Sequence, residues 1–195
     1  MIKFEISVQN IKSKEIKSRE IRRGDKMDTM EALYTRRSIG KYKQAPVSLE
    51  IIEEAVKAAM YAPSAKNQQP WEFIITDKKE LMDAVPAFSP HAAMSKGAPA
   101  GVLVCFNNKY ETAEGFFPQD LGAATQNILL ALHANGLGAV WTGVYPREDR
   151  MTGFIKMFGL PENITPYAFI VIGYPEKEAE QVNRFKKERI HYNKW

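Results

Sequence analysis

Residues 63–71 read Pro-Ser-Ala-Lys-Asn-Gln-Gln-Pro-Trp and connect a helix-like pattern to a strand-like run. Apolar residues recur at helical spacing before the segment, and the run 72–76 is too continuously apolar for an exposed edge strand. Prolines restrict the backbone of the segment, and its amide side chains both donate and accept hydrogen bonds. These properties suit a flat heteroaromatic ligand, but the same residue types also make ordinary helix-to-strand turns. The segment alone leaves both interpretations open.

Strand and helix patterns follow one another along the rest of the chain. Continuous apolar runs predict further strands at 101–106, 139–144 and 167–173. Capping residues, periodicity and terminal glycines predict helices that begin at Asp28, Ser48, Asp77 and Ser89-Pro90, and two more over 119–135 and 149–158. This mixed order, without internal repeats, predicts an α+β layered domain over residues 27–195.

The predicted helix 119–135 is apolar on nearly every side. Such a helix must be buried over most of its surface. In a chain this short, part of that surface is a candidate for contact with a second subunit. His133, which lies on this helix, is interpreted as a structural histidine with a satisfied hydrogen bond.

The stretch 107–117 has no regular pattern and contains Tyr110, Phe116 and Phe117. These aromatic side chains could roof a substrate pocket or pack the loop against the core. The sequence leaves both possibilities open.

The composition, with 45 % hydrophobic and 26 % charged residues, is ordinary for a globular protein. No run approaches the roughly 20 apolar residues that span a bilayer, and no secretory signal precedes the domain, so we expect a cytoplasmic location without membrane association. The single cysteine, Cys105, excludes an internal disulfide and is interpreted as a buried core thiol. The three histidines lack the spacing of metal ligands, so we expect no metal site.

The net charge of +4 is concentrated in residues 1–26, which hold 8 of the 27 Lys and Arg and 4 of the 23 Asp and Glu. Residues 27–195 are therefore neutral overall, and we expect no nucleic-acid partner. The basic N-terminal extension 1–26 is interpreted as a docking arm or a disordered segment. A third hypothesis places the natural start at Met27 or Met30.

Several catalytic signatures are absent from the sequence, including the dinucleotide, Walker, zinc-protease and nucleophile-elbow motifs. An acid/base or metal-dependent hydrolase therefore has little support. If the chain is an enzyme, a bound cofactor is expected to supply the reactive group, with no protein side chain acting as the catalytic acid or base.

Arg36, Arg37 and Ser38 follow the first predicted helix. Two guanidiniums and a hydroxyl could hold a phosphate, with each charge-assisted bond contributing about 1.5–3 kcal/mol. A solvated basic turn has the same composition.

Five segments, taken together, resemble the FMN-dependent nitroreductase family. They are Tyr34-Thr-Arg-Arg-Ser-Ile39, the segment Ala62-Pro-Ser-Ala-Lys-Asn-Gln-Gln-Pro-Trp71, Asp120-Leu-Gly-Ala-Ala-Thr-Gln-Asn127, Gly136-Leu-Gly138 and Trp141-Thr-Gly143. They occur in the family's order and at fitting separations, and the resemblance covers about residues 28–195.

The resemblance implies a set of FMN-binding residues. Arg36, Arg37 and Ser38 would hold the phosphate and ribityl chain, and the backbone at Thr142 and Gly143 would face the isoalloxazine edge. A basic residue of the tail, Arg184 or, as the second choice, Lys186, would complete the phosphate site. The neighbouring subunit would contribute Pro63, Ser64, Ala65 and Asn67.

The fold implied by the resemblance is α+β, with a central, mostly antiparallel sheet flanked by helices in a domain-swapped homodimer. The implied activity is transfer of hydride from NADH or NADPH through FMN to a small electron-poor acceptor such as a nitroaromatic or a quinone. Three alternatives stay open: reductive dehalogenation, flavin cleavage, or a flavin-binding interaction protein without turnover.

Two departures from the family pattern affect the phosphate site. Gly40 stands where the family has a basic residue, although Lys41 is adjacent, and the tail lacks the family's frequent Pro-Arg form. The stretch 107–117 is also short compared with larger members, which predicts a more open or a differently roofed pocket.

Overall fold

Four antiparallel strands form the centre of the structure, a computed structural model that describes residues 27–195. The strands are β1 (Trp71–Thr76), β2 (Ala100–Asn107), β3 (Gly138–Gly143) and β4 (Ile164–Gly173). They lie in the order β1-β2-β4-β3, and each neighbouring pair is antiparallel. The predicted antiparallel sheet is confirmed, whereas the predictions for residues 1–26 lie outside the described residues.

Helices cover both faces of the sheet. The α-helices are α1 (Thr29–Thr35), α2 (Leu49–Ala59), α3 (Lys79–Ala84), α4 (Phe117–Ala134) and α5 (Glu148–Phe158). Alternate residues of β2 point to opposite faces. Val102 and Val104 pack with α2 and α4, whereas Leu103 and Cys105 pack with α3, α5 and the 3-10 helix Pro90–Gly97. Within residues 27–195, no helix combines the length and the apolar character needed to cross a membrane.

The prediction that 72–76 avoids the sheet edge is wrong, because among residues 27–195 strand β1 pairs only with β2. Its continuous apolar character has another cause. Phe73 and Ile75 pack against the core on one face, and Ile74 packs against the core on the other. Helices on both faces therefore demand apolar residues even from an edge strand.

Strand β4 begins at Ile164, three residues before the predicted start at 167. The prediction began too late because Pro166 lies inside the strand, and a proline argues against a central strand. Its register with β2 shifts between Val104, which pairs with Ala168, and Cys105, which pairs with Pro166. Tyr167 is the extra residue of this β-bulge. A bulge leaves one position outside the regular ladder, so the strand continues past the proline.

The helix starts follow the predicted capping residues only in part. The Asp28 carboxylate accepts hydrogen bonds from the backbone of Met30 at 2.9 Å and Glu31 at 3.3 Å, which confirms this N-cap. The cap predicted at Asp77 is wrong, since α3 begins after Lys78 without a side-chain cap. Ser48 occupies the N-cap position of α2, but its hydroxyl donates to the Glu50 carboxylate.

Two further helix predictions need correction. Helix α4 begins at Phe117 rather than at 119, because Pro118 fits the first turn, where a backbone N–H is not needed. The helix predicted at Ser89-Pro90 is a 3-10 helix, Pro90–Gly97, with a non-helical residue at Ala92.

The interpretation of Cys105 as a core thiol agrees with its position. The residue is fully buried in β2. Burial, with a smaller contribution from Glu72, raises the pKa of the thiol to about 12. The thiolate is therefore scarce at neutral pH, and this cysteine is suited to packing rather than to reaction.

Candidate cofactor-binding site

Three arginines lie together where α1 ends. Arg36 is the C-cap of α1, and burial followed by the charges of Arg184 and Arg37 lowers its pKa. The ion pairs found among residues 27–195 are Glu54–Lys57, Lys79–Asp83 and Arg147–Asp149, none of which involves these arginines. Like charges brought together without an acidic partner favour binding of an anion.

The Arg37 guanidinium is held firmly and keeps an edge free. Its Nη1 donates to the carbonyls of Tyr34 at 2.8 Å and Arg36 at 2.7 Å, and Nη2 donates to the carbonyl of Val182 at 3.3 Å. Its Nε is buried and has no partner among the described residues. A guanidinium has five N–H donors, so Nε–H and one Nη2–H remain for an oxygen ligand. This orphaned donor fits a phosphate group.

Strand β3 runs from the arginine cluster to Thr142 and Gly143, whose backbone is predicted to face the ring of the cofactor. Ser38 forms a parallel bridge with Ala139, and the Ile39 amide donates to the Ala139 carbonyl at 3.0 Å. Gly143 lies at the far end of the strand. Four strand residues span about 13 Å, so the site suits a ligand with a phosphate at one end and a ring at the other.

The end of β3 presents backbone rather than side chains. The Thr142 hydroxyl is buried and donates to the Phe169 carbonyl at 2.7 Å, so it is not available to a ligand. Gly143 is exposed, and a side chain built there would meet nothing within 4 Å. Arg150 Nη1 donates to the Gly143 carbonyl at 2.7 Å and thereby fixes this peptide. No sequence signal distinguished Arg150 from other surface arginines.

The segment 63–71 has an unusual backbone. Residues Ala65–Asn67 form a 3-10 turn, and Lys66, Asn67 and Gln69 all have left-handed backbone angles, with φ of 49°, 54° and 46°. Each such angle in a non-glycine residue costs about 1 kcal/mol or more, and these angles concentrate at functional sites. Pro63 and Asn67 are exposed, whereas Ser64 accepts a hydrogen bond from the Gln69 amide at 3.0 Å.

A buried carboxylate holds this segment in place. Asp120, only 4 % exposed in the first turn of α4, accepts hydrogen bonds from the Ala65 amide at 2.9 Å and Gln68 Nε2 at 2.6 Å. Gln68 Oε1 in turn accepts from the amides of Thr112 and Ala113, each at 2.9 Å. The Ala65 amide is therefore already paired. Sequence reasoning missed this role, although an acid opening an apolar helix was a signal.

The three loop aromatics separate into two groups. Tyr110 and Phe116 are about half exposed. Phe117 belongs to α4 rather than to the loop; its ring stacks on Phe106 at a centroid distance of 4.1 Å and meets the Tyr145 ring edge-on at 5.1 Å. Phe117 therefore packs the loop down, while the other two are free to contact a ligand.

The two basic tail candidates differ in their surroundings. Arg184 lies close enough to Arg36 to lower its pKa. Lys186 is exposed, precedes the 3-10 turn Lys187–Arg189, and has no side-chain hydrogen bond among the described residues. The geometry therefore favours Arg184 as the third cation of the cluster.

The predicted site residues do not all meet within the chain. The arginine cluster lies near the last turn of α4, because Thr35 contacts His133, whereas 63–71 is anchored at Asp120 in its first turn. Thirteen helical positions correspond to about 20 Å. No hydrogen bond among the described residues joins 36–38 to 63–71.

Comparison with known proteins identifies the family of the chain. The family model described as the nitroreductase family matches residues 33–104 and 92–174. A relative from Methanothermobacter thermautotrophicus, provisionally named an NADH dehydrogenase/NAD(P)H nitroreductase, is 45 % identical over 87 % of this chain and 89 % of its own. The chain belongs to the nitroreductase family.

Solved structures show the same fold. A Parabacteroides distasonis protein, provisionally named an NADH dehydrogenase/NAD(P)H nitroreductase, has a TM-score of 0.81 and 38 % identity, over 85 % of this chain and 98 % of its own. A provisionally named nitroreductase from Desulfovibrio desulfuricans, in complex with FMN, has a TM-score of 0.73 and 28 % identity, over 85 % of this chain and 96 % of its own. The predicted family and α+β fold are confirmed.

Proposed function

We propose that the chain is an FMN-dependent oxidoreductase that uses NADH or NADPH to reduce a small electron-poor acceptor, such as a nitroaromatic or a quinone. Its family and its FMN-bound structural relative support this activity. The observation that carries the proposal is the arginine cluster, where Arg37 Nε is buried and has no partner within residues 27–195. Bound FMN supplies the hydride-accepting and hydride-donating chemistry.

The chain's own residues bind and orient the cofactor. Arg36, Arg37, Ser38 and Arg184 would hold the phosphate end, and the backbone at Thr142 and Gly143 would face the ring. Because Arg150 fixes the Gly143 carbonyl, this peptide is already oriented before a ligand binds. Preorganised dipoles of this kind cost no rearrangement during the reaction. Because the flavin itself carries the hydride chemistry, no protein acid or base needs to take part.

The absorbance of the purified protein tests the activity. We expect a band near about 450 nm from bound oxidised flavin, bleached anaerobically by NADH or NADPH and restored by a nitroaromatic or a quinone. Binding without bleaching would instead favour the flavin-binding protein without turnover. If the chain bound no FMN, the proposal would fail.

We further propose that the chain acts as a homodimer in which 63–71 reaches the cofactor held by the partner. The distance of this segment from the arginine cluster supports this arrangement. Several large apolar side chains, each at least 67 % exposed, also support a partner surface: Tyr34, Tyr61, Phe185, Tyr192 and Trp195. The free, buried thiol of Cys105 fits the expected cytoplasmic location.

Mixed dimers test the shared site. A dimer of one Arg37→Ala subunit and one Asn67→Ala subunit contains one site with both residues intact and one site with neither. We expect tight binding of about one FMN per mixed dimer, whereas both variant homodimers bind weakly. If the mixed dimer bound no better than the homodimers, the site would lie within a single chain.

Replacing Asn67 with alanine is expected to weaken FMN binding about tenfold without unfolding the domain, because an exposed amide that can reach a ligand is lost. The affinity is measured by quenching of flavin fluorescence, and folding by circular dichroism. Asn193→Ala is the matched control, since Asn193 is also exposed and has a φ of 68°. Equal losses in both variants would assign the effect to the backbone and return Asn67 to a connector role.

A further inference from the structure

His133 connects the end of α4 to the arginine cluster. Its Nε2 lies 2.7 Å from the Thr35 hydroxyl, and Thr35 is the last residue of α1, directly before Arg36. The contact joins two positions 98 residues apart in the chain. His133 is half-buried, so this contact is not a surface coincidence.

The hydrogen bonds around Thr35 define where the histidine proton lies. The Thr35 hydroxyl is 2.6 Å from the Glu31 carbonyl, which can only accept. The single hydroxyl proton is thus directed to Glu31, and the hydroxyl oxygen accepts from Nε2–H of His133. Nδ1 makes no hydrogen bond among the described residues and is the atom that takes up a second proton. The bond to Thr35 therefore persists in both protonation states.

The charges around His133 come from α1 and the turn that follows it. Burial, then Arg36 and then Arg37, lower the pKa of His133, and Glu31 opposes them. The carbonyls at the C-terminus of α4 also favour the protonated form. Arg36 and Arg37 are the groups to which an anion would bind. The charge of a bound anion would therefore offset the two positive charges that lower the pKa of His133.

We propose that His133 is a positioning residue of the anion site, which holds Thr35 before the arginines and couples anion binding to its own protonation. This inference rests on the proposed function, in which the anion is the phosphate of FMN. The bond to Thr35 sets where Arg36 and Arg37 stand relative to α4. A bound phosphate offsets the arginine charges, and His133 then accepts a proton at Nδ1.

The sign of the pH dependence follows from this coupling. The pKa of His133 is lowered in the free protein and is higher once the phosphate is bound. A group whose pKa rises on binding takes up a proton, so its contribution to FMN affinity is absent at pH 8 and grows as the pH falls toward and below 6.5. The FMN phosphate titrates near about pH 6 and acts in the opposite direction, which makes a variant comparison necessary.

His133→Gln separates the proton from the tether, because a glutamine amide can still donate to Thr35 but does not titrate. We expect the ratio of FMN dissociation constants, variant over wild type, to increase as the pH falls from 8.0 to 6.0 and below. For a pKa change of about half a unit, the increase approaches about threefold once the pH lies well below the pKa of His133 in the free protein. Thr35→Val removes the hydrogen bond to His133 but keeps the titrating histidine. It should weaken binding similarly at every pH while keeping the wild-type slope.

Two controls complete the experiment. His91→Gln removes an exposed histidine on the 3-10 helix Pro90–Gly97, at the other face of the sheet, and should leave the ratio flat. Calorimetry in buffers of different ionisation enthalpy measures proton uptake directly. Because the FMN phosphate releases protons when it binds the arginines, net uptake with FMN at pH 6.5 is compared between the wild-type chain and His133→Gln, and it should be larger in the wild type.

The outcomes distinguish this inference from the function on which it rests. FMN binding with the same pH dependence and the same net proton uptake in wild type and His133→Gln would overturn the role of His133 and leave the oxidoreductase intact. Absence of FMN binding by the wild-type chain would overturn both.

Discussion

Replacing Arg37 with alanine is expected to raise the dissociation constant for FMN about a hundredfold. The variant loses a charge-assisted contact, which contributes about 1.5–3 kcal/mol, or roughly 10- to 150-fold in affinity. It also loses the bond to the Val182 carbonyl that keeps the tail beside the cluster. Fluorescence titration of FMN and of riboflavin measures the effect, and the loss should be much smaller for riboflavin.

Lys186→Ala is the matched control for this prediction, since it removes an exposed cation from the same tail. We expect it to change FMN affinity by less than about twofold, as for a surface charge, whereas Arg184→Ala should cost about tenfold. A larger loss at Lys186 than at Arg184 would reverse our choice of the third cation. An equal loss of riboflavin binding in Arg37→Ala would show that the arginine does not act on the phosphate.

Replacing Asp120 with alanine is expected to lower the free energy of unfolding by about 2–5 kcal/mol and to abolish tight FMN binding. The change leaves the half-buried amide of Ala65 and the buried Gln68 Nε2 without acceptors, and each unsatisfied buried donor costs about 1–3 kcal/mol. It also releases the segment 63–71 from α4. Urea denaturation is measured on the FMN-free protein, with the protein concentration held constant. This separates folding stability from stabilisation by the ligand.

Asp149→Ala is the matched control for Asp120, because Asp149 also lies in the first turn of a helix but is exposed. Its removal should change the free energy of unfolding far less than the removal of Asp120 does, because water screens an exposed charge. If Asp120→Ala were as mild, the carboxylate would not be what holds the segment. If stability fell while FMN affinity stayed unchanged, Asp120 would have no role in placing the cofactor segment.

The sequence identified the existence and the type of most elements, because these depend on local patterns. Continuous apolar runs marked all four strands, and the apolar helix 119–135 was found to within two residues. The errors came from long-range context. The edge position of β1 depends on which strand pairs with which, and the early start of β4 depends on a bulge opposite Cys105 that lets Pro166 stay in the ladder.

The candidate site was predictable as a list of residues but not as an arrangement. Motif resemblance selected Arg36, Arg37 and Ser38, and Arg36 lies close to Arg184, which is far from it in the sequence. The residues that hold these elements in place, Asp120 and His133, belong to no short motif. Their importance depends on contacts between distant segments, which no local pattern encodes.

Strand β4 has a consequence for biosynthesis. It is the last strand made, yet it pairs with both β2 and β3. While the ribosome has not reached residue 173, β3 has no partner in the sheet and the apolar inner edge of β2 is bare, which is a template for wrong pairing. The sheet can close only after residue 173 has been synthesised, so we expect nascent chains stalled before residue 164 to depend on chaperones.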